Sequence, residues 1–160
     1  GMAQRGGSVV VHVRIGFKEQ VHAPLVGKGQ ANIMVCLEAL EALRNIFYAN
    51  EKTILIINER IIRPGIPVNK IPSLVEVLEA LKSCKLTYHT LKAEDIAKEI
   101  GIPFAANTIM LGALMGLETL PLSKEAVEEA IAAILPKKYV EKNLEAFERG
   151  WKIIKQMSSQ

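Results

Sequence analysis

The 160 residues are expected to form one domain, 1–160, and at 49% hydrophobic and 23% charged they describe a globular chain whose core, with only 5% aromatics, is aliphatic. Two cysteines 48 positions apart, with no CxxC and no Cys/His cluster, exclude an iron–sulfur centre, a zinc site or a disulfide scaffold built by this chain alone, so no metal is expected on it. A net charge of +3 is too mild for a nucleic-acid groove, so nucleic acid is not an expected partner.

Ser8-Val9-Val10-Val11-His12-Val13-Arg14-Ile15 is rich in β-branched residues and alternates from His12, which predicts a strand ended by Gly16. Pro24, Gly27 and Gly29 mark a loop or short hairpin over 17–30. A fully buried strand is expected over 31–37, running into a helix over 38–47 with Leu40, Leu43 and Phe47 on one face. Residues 53–57 read as a third strand and 59–63 as a short fourth. Arg63-Pro64-Gly65-Ile66-Pro67 breaks the pattern. Ser73 and Glu76 have the spacing of a capping box, which opens a helix to about Lys82.

Residues 86–91 predict another strand, and 93–100 a helix stopped by Gly101 and Pro103. The longest uncharged stretch, 100–117, reaches the lower bound for a membrane span. Its glycines, Pro103, Asn107 and Thr108, with Lys98 and Glu99 adjoining, make it a buried core helix from about Phe104 instead. No signal peptide is recognisable, so a soluble, cytoplasmic protein without a membrane partner is expected. Ser123 caps a helix to Leu135, Pro136 breaks it, and a last helix covers about 138–157. Strands alternating with helices predict a three-layer α/β/α, Rossmann-like domain. Its mainly parallel sheet would have about five strands, with the runs after Ala31 and Thr53 at the centre.

Gln4-Arg5-Gly6-Gly7-Ser8 is the most chemical stretch. Its glycines admit a ligand to the backbone, its amides can face oxyanions, and Arg5 offers a forked cation to phosphate. An N-terminal tail is an equal reading. A single RGG without interleaved Tyr or Phe makes a poor RNA-binding segment. The whole charge excess lies in residues 1–30, where four bases face one acid, and it fits a small anionic ligand, an acidic partner or a solvated surface. Pro103-Phe104-Ala105-Ala106-Asn107-Thr108 opens a helix whose free amides suit an anion. Asn107 would hold a ligand there, or Asn107 and Thr108 would satisfy backbone groups in the core. His12, His22 and His89 have no ligand spacing, and His12 reads as a structural residue of its strand. Cys36, Met110 and Met115 read as core. No nucleophile–base arrangement is present, so no catalytic residue is assigned.

At these residues the sequence resembles a family. Gly1-Met2-Ala3-Gln4-Arg5-Gly6-Gly7-Ser8, with the strand after it, resembles the gamma-type domain of the 2-oxoacid:ferredoxin oxidoreductases, and the Met-Ala-Gln-Arg-Gly-Gly string points to their indolepyruvate branch. Residues 31–44 (ANIMVCLEALEALR), 107–113 (NTIMLGA) and 143–150 (NLEAFERG) resemble three further motifs of that domain, in order. The resemblance implies oxidative decarboxylation of a 2-oxoacid, here indolepyruvate or another arylpyruvate, to an acyl-coenzyme A, with electrons passing to ferredoxin. Thiamine diphosphate and the iron–sulfur clusters are then expected on a partner alpha subunit, and the chain alone should be inactive. It also implies a coenzyme A site to which Gln4, Arg5, Gly6 and Gly7 contribute near the phosphates, with Asn107 and Thr108 across from them. The family opens with a strand and a GxGGQG loop, whereas residue 1 here already falls inside its Gly-Met-Ala-Gln-Arg-Gly-Gly. The chain is therefore expected to be N-terminally truncated relative to the family, with residues 8–15 exposed and a homo-oligomer formed through them. The alternative is a non-catalytic α/β binding or assembly module that has lost the ligand loop.

Overall fold

The apolar runs after Ala31 and Thr53 pair in parallel as β1 (Ile33–Cys36) and β2 (Ile54–Asn58), with Ile33 opposite Ile54 and Cys36 opposite Ile57. The structure, a computed structural model, describes residues 7–16, 21, 23–63 and 70–158. A third strand, β3 (Thr87–Leu91), completes a sheet of order β1-β2-β3. The chain divides after Tyr88, within β3, into two compact units.

In the first unit, period-2 alternation sends Met34 and Cys36 of β1, with Leu55 and Ile57 of β2, to one face. There they meet Ala39 and Ala42 of α1 (Ala39–Arg44) and Val77 and Leu81 of α2 (Leu74–Ser83). A 3₁₀ turn, Ile46–Tyr48, follows α1. The buried Thr53 hydroxyl donates to the Ala31 carbonyl at 2.6 Å and accepts the Asn50 amide at 2.8 Å, which fixes the entry into β2. The capping box of α2 is present: Ser73 N donates to Glu76 Oε2 at 2.7 Å, and Glu76 N to Ser73 Oγ at 3.3 Å.

The α/β class and the parallel sheet agree with the sequence reading, but the described residues contain three strands, not five. Residues 8–15 and 59–63 carry no strand: side-chain bonds of Ser8, His12 and Arg14 hold the first, and the second is held to the start of α1 by the Ala39 amide on the Arg60 carbonyl and by Glu38 on the Ile62 amide, in place of a ladder. The run after Ala31 is neither central nor fully buried. It lies at an edge of the described sheet, and alternation leaves Val35 and Leu37 exposed on the face away from α1 and α2. The break at Arg63 continues into residues 64–67, which lie outside the described residues.

Cys36 packs beneath α1, where burial, and then the nearby Glu41 and Glu38 charges, push its thiol up to about 12. Cys84 follows α2 and is exposed. Since the thiolate is the reactive form, iodoacetamide at pH 8 should label the native chain once, at Cys84, and label Cys36 only in denaturant. Native double labelling, read by intact mass, would contradict this packing.

The second unit contains α3 (Ala93–Ile100), α4 (Ala106–Gly116), α5 (Lys124–Ile134) and α6 (Lys137–Ser158). Gly101 ends α3 at φ +81°, a left-handed cap that favours glycine. Ser123 caps α5 by accepting the Ala126 amide at 3.1 Å. Three pairs define the α4–α6 crossing: Thr108 with Asn143, Gly112 with Phe147 and Gly116 with Trp151. Each pair is 35 positions apart, so the two helices run parallel. A Cβ on Gly112 would overlap the Phe147 carbonyl, and one on Gly150 would overlap the Ile109 carbonyl, so backbone touches backbone. Lys124 lies 4.5 Å over the Trp151 ring and pairs with Glu148, which ties α5 to α6.

Candidate functional site

In open α/β sheets ligands bind beyond the carboxyl ends of the parallel strands. Two buried polar side chains bind that edge together here. Asn58, the last residue of β2, donates through Nδ2 to the Leu37 carbonyl after β1 at 3.1 Å. Glu38, only 7% exposed, caps α1: its Oε2 accepts the Glu41 amide at 2.8 Å and its Oε1 the Ile62 amide at 3.0 Å. Ala39 N donates to the Arg60 carbonyl at 2.9 Å, so the 60–62 segment is held against the start of α1.

Ser8, which closes the glycine-rich stretch, is anchored to this edge. The Ser8 hydroxyl donates to the Glu41 carboxylate in the first turn of α1, and Arg44 Nη1 donates to the same group at 2.6 Å. Gly7, next to Ser8, is half-buried, whereas Gln4, Arg5 and Gly6 lie outside the described residues. Beyond Ser8, His12 accepts the Val26 amide through Nδ1 at 3.0 Å and meets the Tyr48 ring edge-on at 5.1 Å. Arg14 donates to the Leu25 carbonyl at 3.1 Å. His12 is thus a structural residue, though not in a strand. These polar pins hold the segment while Val11 and Val13 stay 75% and 71% exposed.

Burial pushes the Glu41 carboxyl up, but the hydrogen bonds from Ser8, Arg44 and Asn45, with the Arg44 charge, outweigh it and hold the group below its ordinary value of 4.5. A lowered carboxyl stabilises the fold above its unfolded value and loses that contribution as pH falls through the folded one. Stability should therefore drop below about pH 4.5. Ser8→Ala should reduce the difference between urea midpoints at pH 6 and pH 3.5, and an unchanged difference would remove Ser8 from the account.

In the second unit, Asn107 and Thr108 share the first turn of α4. The Thr108 hydroxyl donates to Asn143 Oδ1 at 2.8 Å, and Asn143 Nδ2 donates to the Tyr139 carbonyl at 2.8 Å. Thr108 is thereby engaged in the helix crossing, while Asn107 is exposed. Glu38, Glu41 and Asn58 are the site residues that sequence reasoning missed. The signal for the first two was a pair of acids three apart where an apolar strand gives way to a helix. Among the described residues no group of three His, Cys, Asp or Glu could hold a metal, and no helix is long and apolar enough to cross a membrane.

The family model for pyruvate ferredoxin/flavodoxin oxidoreductase matches residues 1–153. The indolepyruvate oxidoreductase subunit IorB of Archaeoglobus fulgidus is 41% identical over 154 residues, which cover 94% of this chain and 75% of that relative. Among solved structures, the gamma subunit of a keto/oxoacid ferredoxin oxidoreductase from Geobacter sulfurreducens has the same fold, with a TM-score of 0.60 at 24% identity. The match covers 80% of this chain and 66% of that one, a little under two thirds. The 2-oxoglutarate:ferredoxin oxidoreductase of Magnetococcus marinus, solved with 2-oxoglutarate, coenzyme A and succinyl-CoA bound, matches at a TM-score of 0.56 and 19% identity, over 79% of this chain and 21% of that one.

Proposed function

Because the chain belongs to the pyruvate ferredoxin/flavodoxin oxidoreductase family, we propose that it is the small subunit of a cytoplasmic oxidoreductase that converts an arylpyruvate, indolepyruvate first among them, to the arylacetyl-coenzyme A. The observation that carries this reading is the 41% identity to an indolepyruvate oxidoreductase subunit over nearly the whole chain. The partner is a larger subunit carrying thiamine diphosphate and iron–sulfur clusters, with ferredoxin as electron acceptor. When bound there, thiamine diphosphate supplies the electron sink for decarboxylation and the clusters carry the electrons away. Two cysteines cannot ligate a four-thiolate cluster, so this chain's residues act in binding and assembly.

Their task is to hold coenzyme A. Ser8 is held at the carboxyl edge of the sheet by Glu41, and Gly7 beside it leaves the backbone open to a phosphate there. The site already holds the Glu38 and Glu41 carboxylates, each satisfied by N–H donors. An anionic ligand beside them needs added positive charge, which in this proposal Arg5 supplies. Asn107, exposed on α4, and Thr108, engaged in the helix crossing, are the proposal's residues in the second unit. The exposed Val9–Ile15 segment offers an apolar surface for the larger subunit or, in its absence, for a second copy of this chain.

The test is co-expression with the larger subunit, followed by viologen reduction dependent on both arylpyruvate and coenzyme A. An active complex, with either chain alone inert, is expected. A complex that oxidises only non-aromatic 2-oxoacids would overturn the substrate assignment. A chain that joins no such complex would overturn the subunit assignment.

A further inference from the structure

We infer that the turn before α4 is a docking knob: Phe104 inserts into an apolar pocket, rimmed by carboxylates, on the larger subunit of the proposed enzyme. The inference rests on the function proposed above and adds to it a contact surface in the second unit.

Phe104 is 97% exposed, yet the chain on both sides of it is fixed. Before it, Gly101 N donates to the Lys98 carbonyl and Ile102 N to the Ala97 carbonyl, both at 2.9 Å, locking the turn onto the end of α3. After it, Ala105 is buried and its amide donates to the Ile102 carbonyl at 2.9 Å. A rigid backbone thus holds a large aromatic side chain in water. Such a residue gains the most from being covered, since its burial removes 150–250 Å² of surface from solvent at little further ordering cost.

The surroundings give the partner's chemistry. Because α4 and α6 run parallel, the first turns of α6 reach the level of this turn. Lys142 shows the proximity directly, since a Cβ on Gly101 would lie 3.1 Å from its Nζ. Lys137 and Lys138 open α6, and the Lys138 ammonium lies 4.7 Å from the centre of the half-exposed Tyr139 ring. Neither α4 nor α6 has an acidic residue in its first turn, where helices ordinarily favour one. Nearby carboxylates are largely matched: Asp95 pairs with Lys98 and Glu99 with Arg149, and within the start of α6 Glu141 and Glu145 stand against the three lysines, which leaves one positive charge in excess. An aromatic tip inside a basic collar is complementary to an apolar pocket with an acidic rim.

The experiment measures binding of this chain to the larger subunit by interferometry at 50 and 300 mM salt. Phe104→Ala should weaken binding at least tenfold at both salts. The triple change Lys137→Glu, Lys138→Glu, Lys142→Glu should weaken it at least tenfold at 50 mM and flatten the salt dependence. Both sites are on the surface, so circular dichroism and the melting temperature should be unchanged. Ile134→Ala, another exposed apolar position on α5, should bind like wild type. Binding of both variants within twofold of wild type would overturn the docking surface and leave the proposed function standing. Loss of self-association alone on Phe104→Ala, with subunit binding intact, would overturn it in favour of a second copy. A wild-type chain that does not bind the larger subunit would overturn both proposals.

Discussion

Gly150→Ala, and equally Gly112→Ala, should lower the free energy of unfolding by about 3 kcal/mol, the upper end of ordinary overpacking costs. On an isolated helix the same change would help, since alanine exceeds glycine in helix propensity by about 1 kcal/mol. The sign reverses because the space is already filled. A Cβ on Gly112 meets the Phe147 carbonyl and one on Gly150 meets the Ile109 carbonyl, and both are backbone groups that no rotamer change can move aside. Relief requires the helices to separate, which would pull Phe147, wholly buried beside Met115 and Ile131, out of its contacts and stretch the Thr108–Asn143 hydrogen bond. Thermal melts should fall on the order of 10 °C for either variant. Ala132→Gly, on an exposed face of α5, serves as the propensity control and should cost about 1 kcal/mol. A melting temperature unchanged or raised in both glycine variants would show that the crossing has room.

This crossing also accounts for what was legible in the sequence. Helix boundaries written in local chemistry were readable: Ser73 with Glu76, Ser123, and Gly101 each appear as caps at the expected positions. The strand after Thr53 was readable because both of its faces are buried. The 107–113 and 143–150 motifs were recognisable as strings, but their physical reason was not, since two glycines 38 positions apart reveal nothing until two helices cross. The segment 8–15 failed the other way. Its β-branched content registers a propensity, but a strand needs a partner, and the pins that hold it (Ser8 to Glu41, His12 to Val26, Arg14 to Leu25) are side-chain contacts without a periodic signal. Glu38 stayed hidden for a related reason. Glutamate is an uncommon helix cap, and its second partner, the Ile62 amide, is 24 positions away.

In the assembled enzyme, Arg5→Ala should raise the apparent KM for coenzyme A by roughly 10- to 150-fold, the loss of one charge-assisted hydrogen bond of about 1.5–3 kcal/mol. Three peptide units join Arg5 to Ser8, a reach of at most about 11 Å. For Arg5 to reach a phosphate at the carboxyl edge of the sheet, as proposed, no more than the anchor of Ser8 on Glu41 is therefore needed. That edge carries two carboxylates, of which Arg44 balances one, so a phosphate without Arg5 would meet net repulsion. The KM for the 2-oxoacid should not change if, as proposed, decarboxylation occurs on a cofactor of the larger subunit. The distinction between Arg5→Lys and Arg5→Ala then separates charge from shape. Lysine keeps the charge and loses the fork, so it should recover part of the coenzyme affinity, more at low salt than at high. If Arg5→Ala leaves the coenzyme dependence unaltered in active enzyme, the glycine-rich stretch is a tail tethered at Ser8, and the phosphate must be held by the larger subunit or by the Asn107 end of α4.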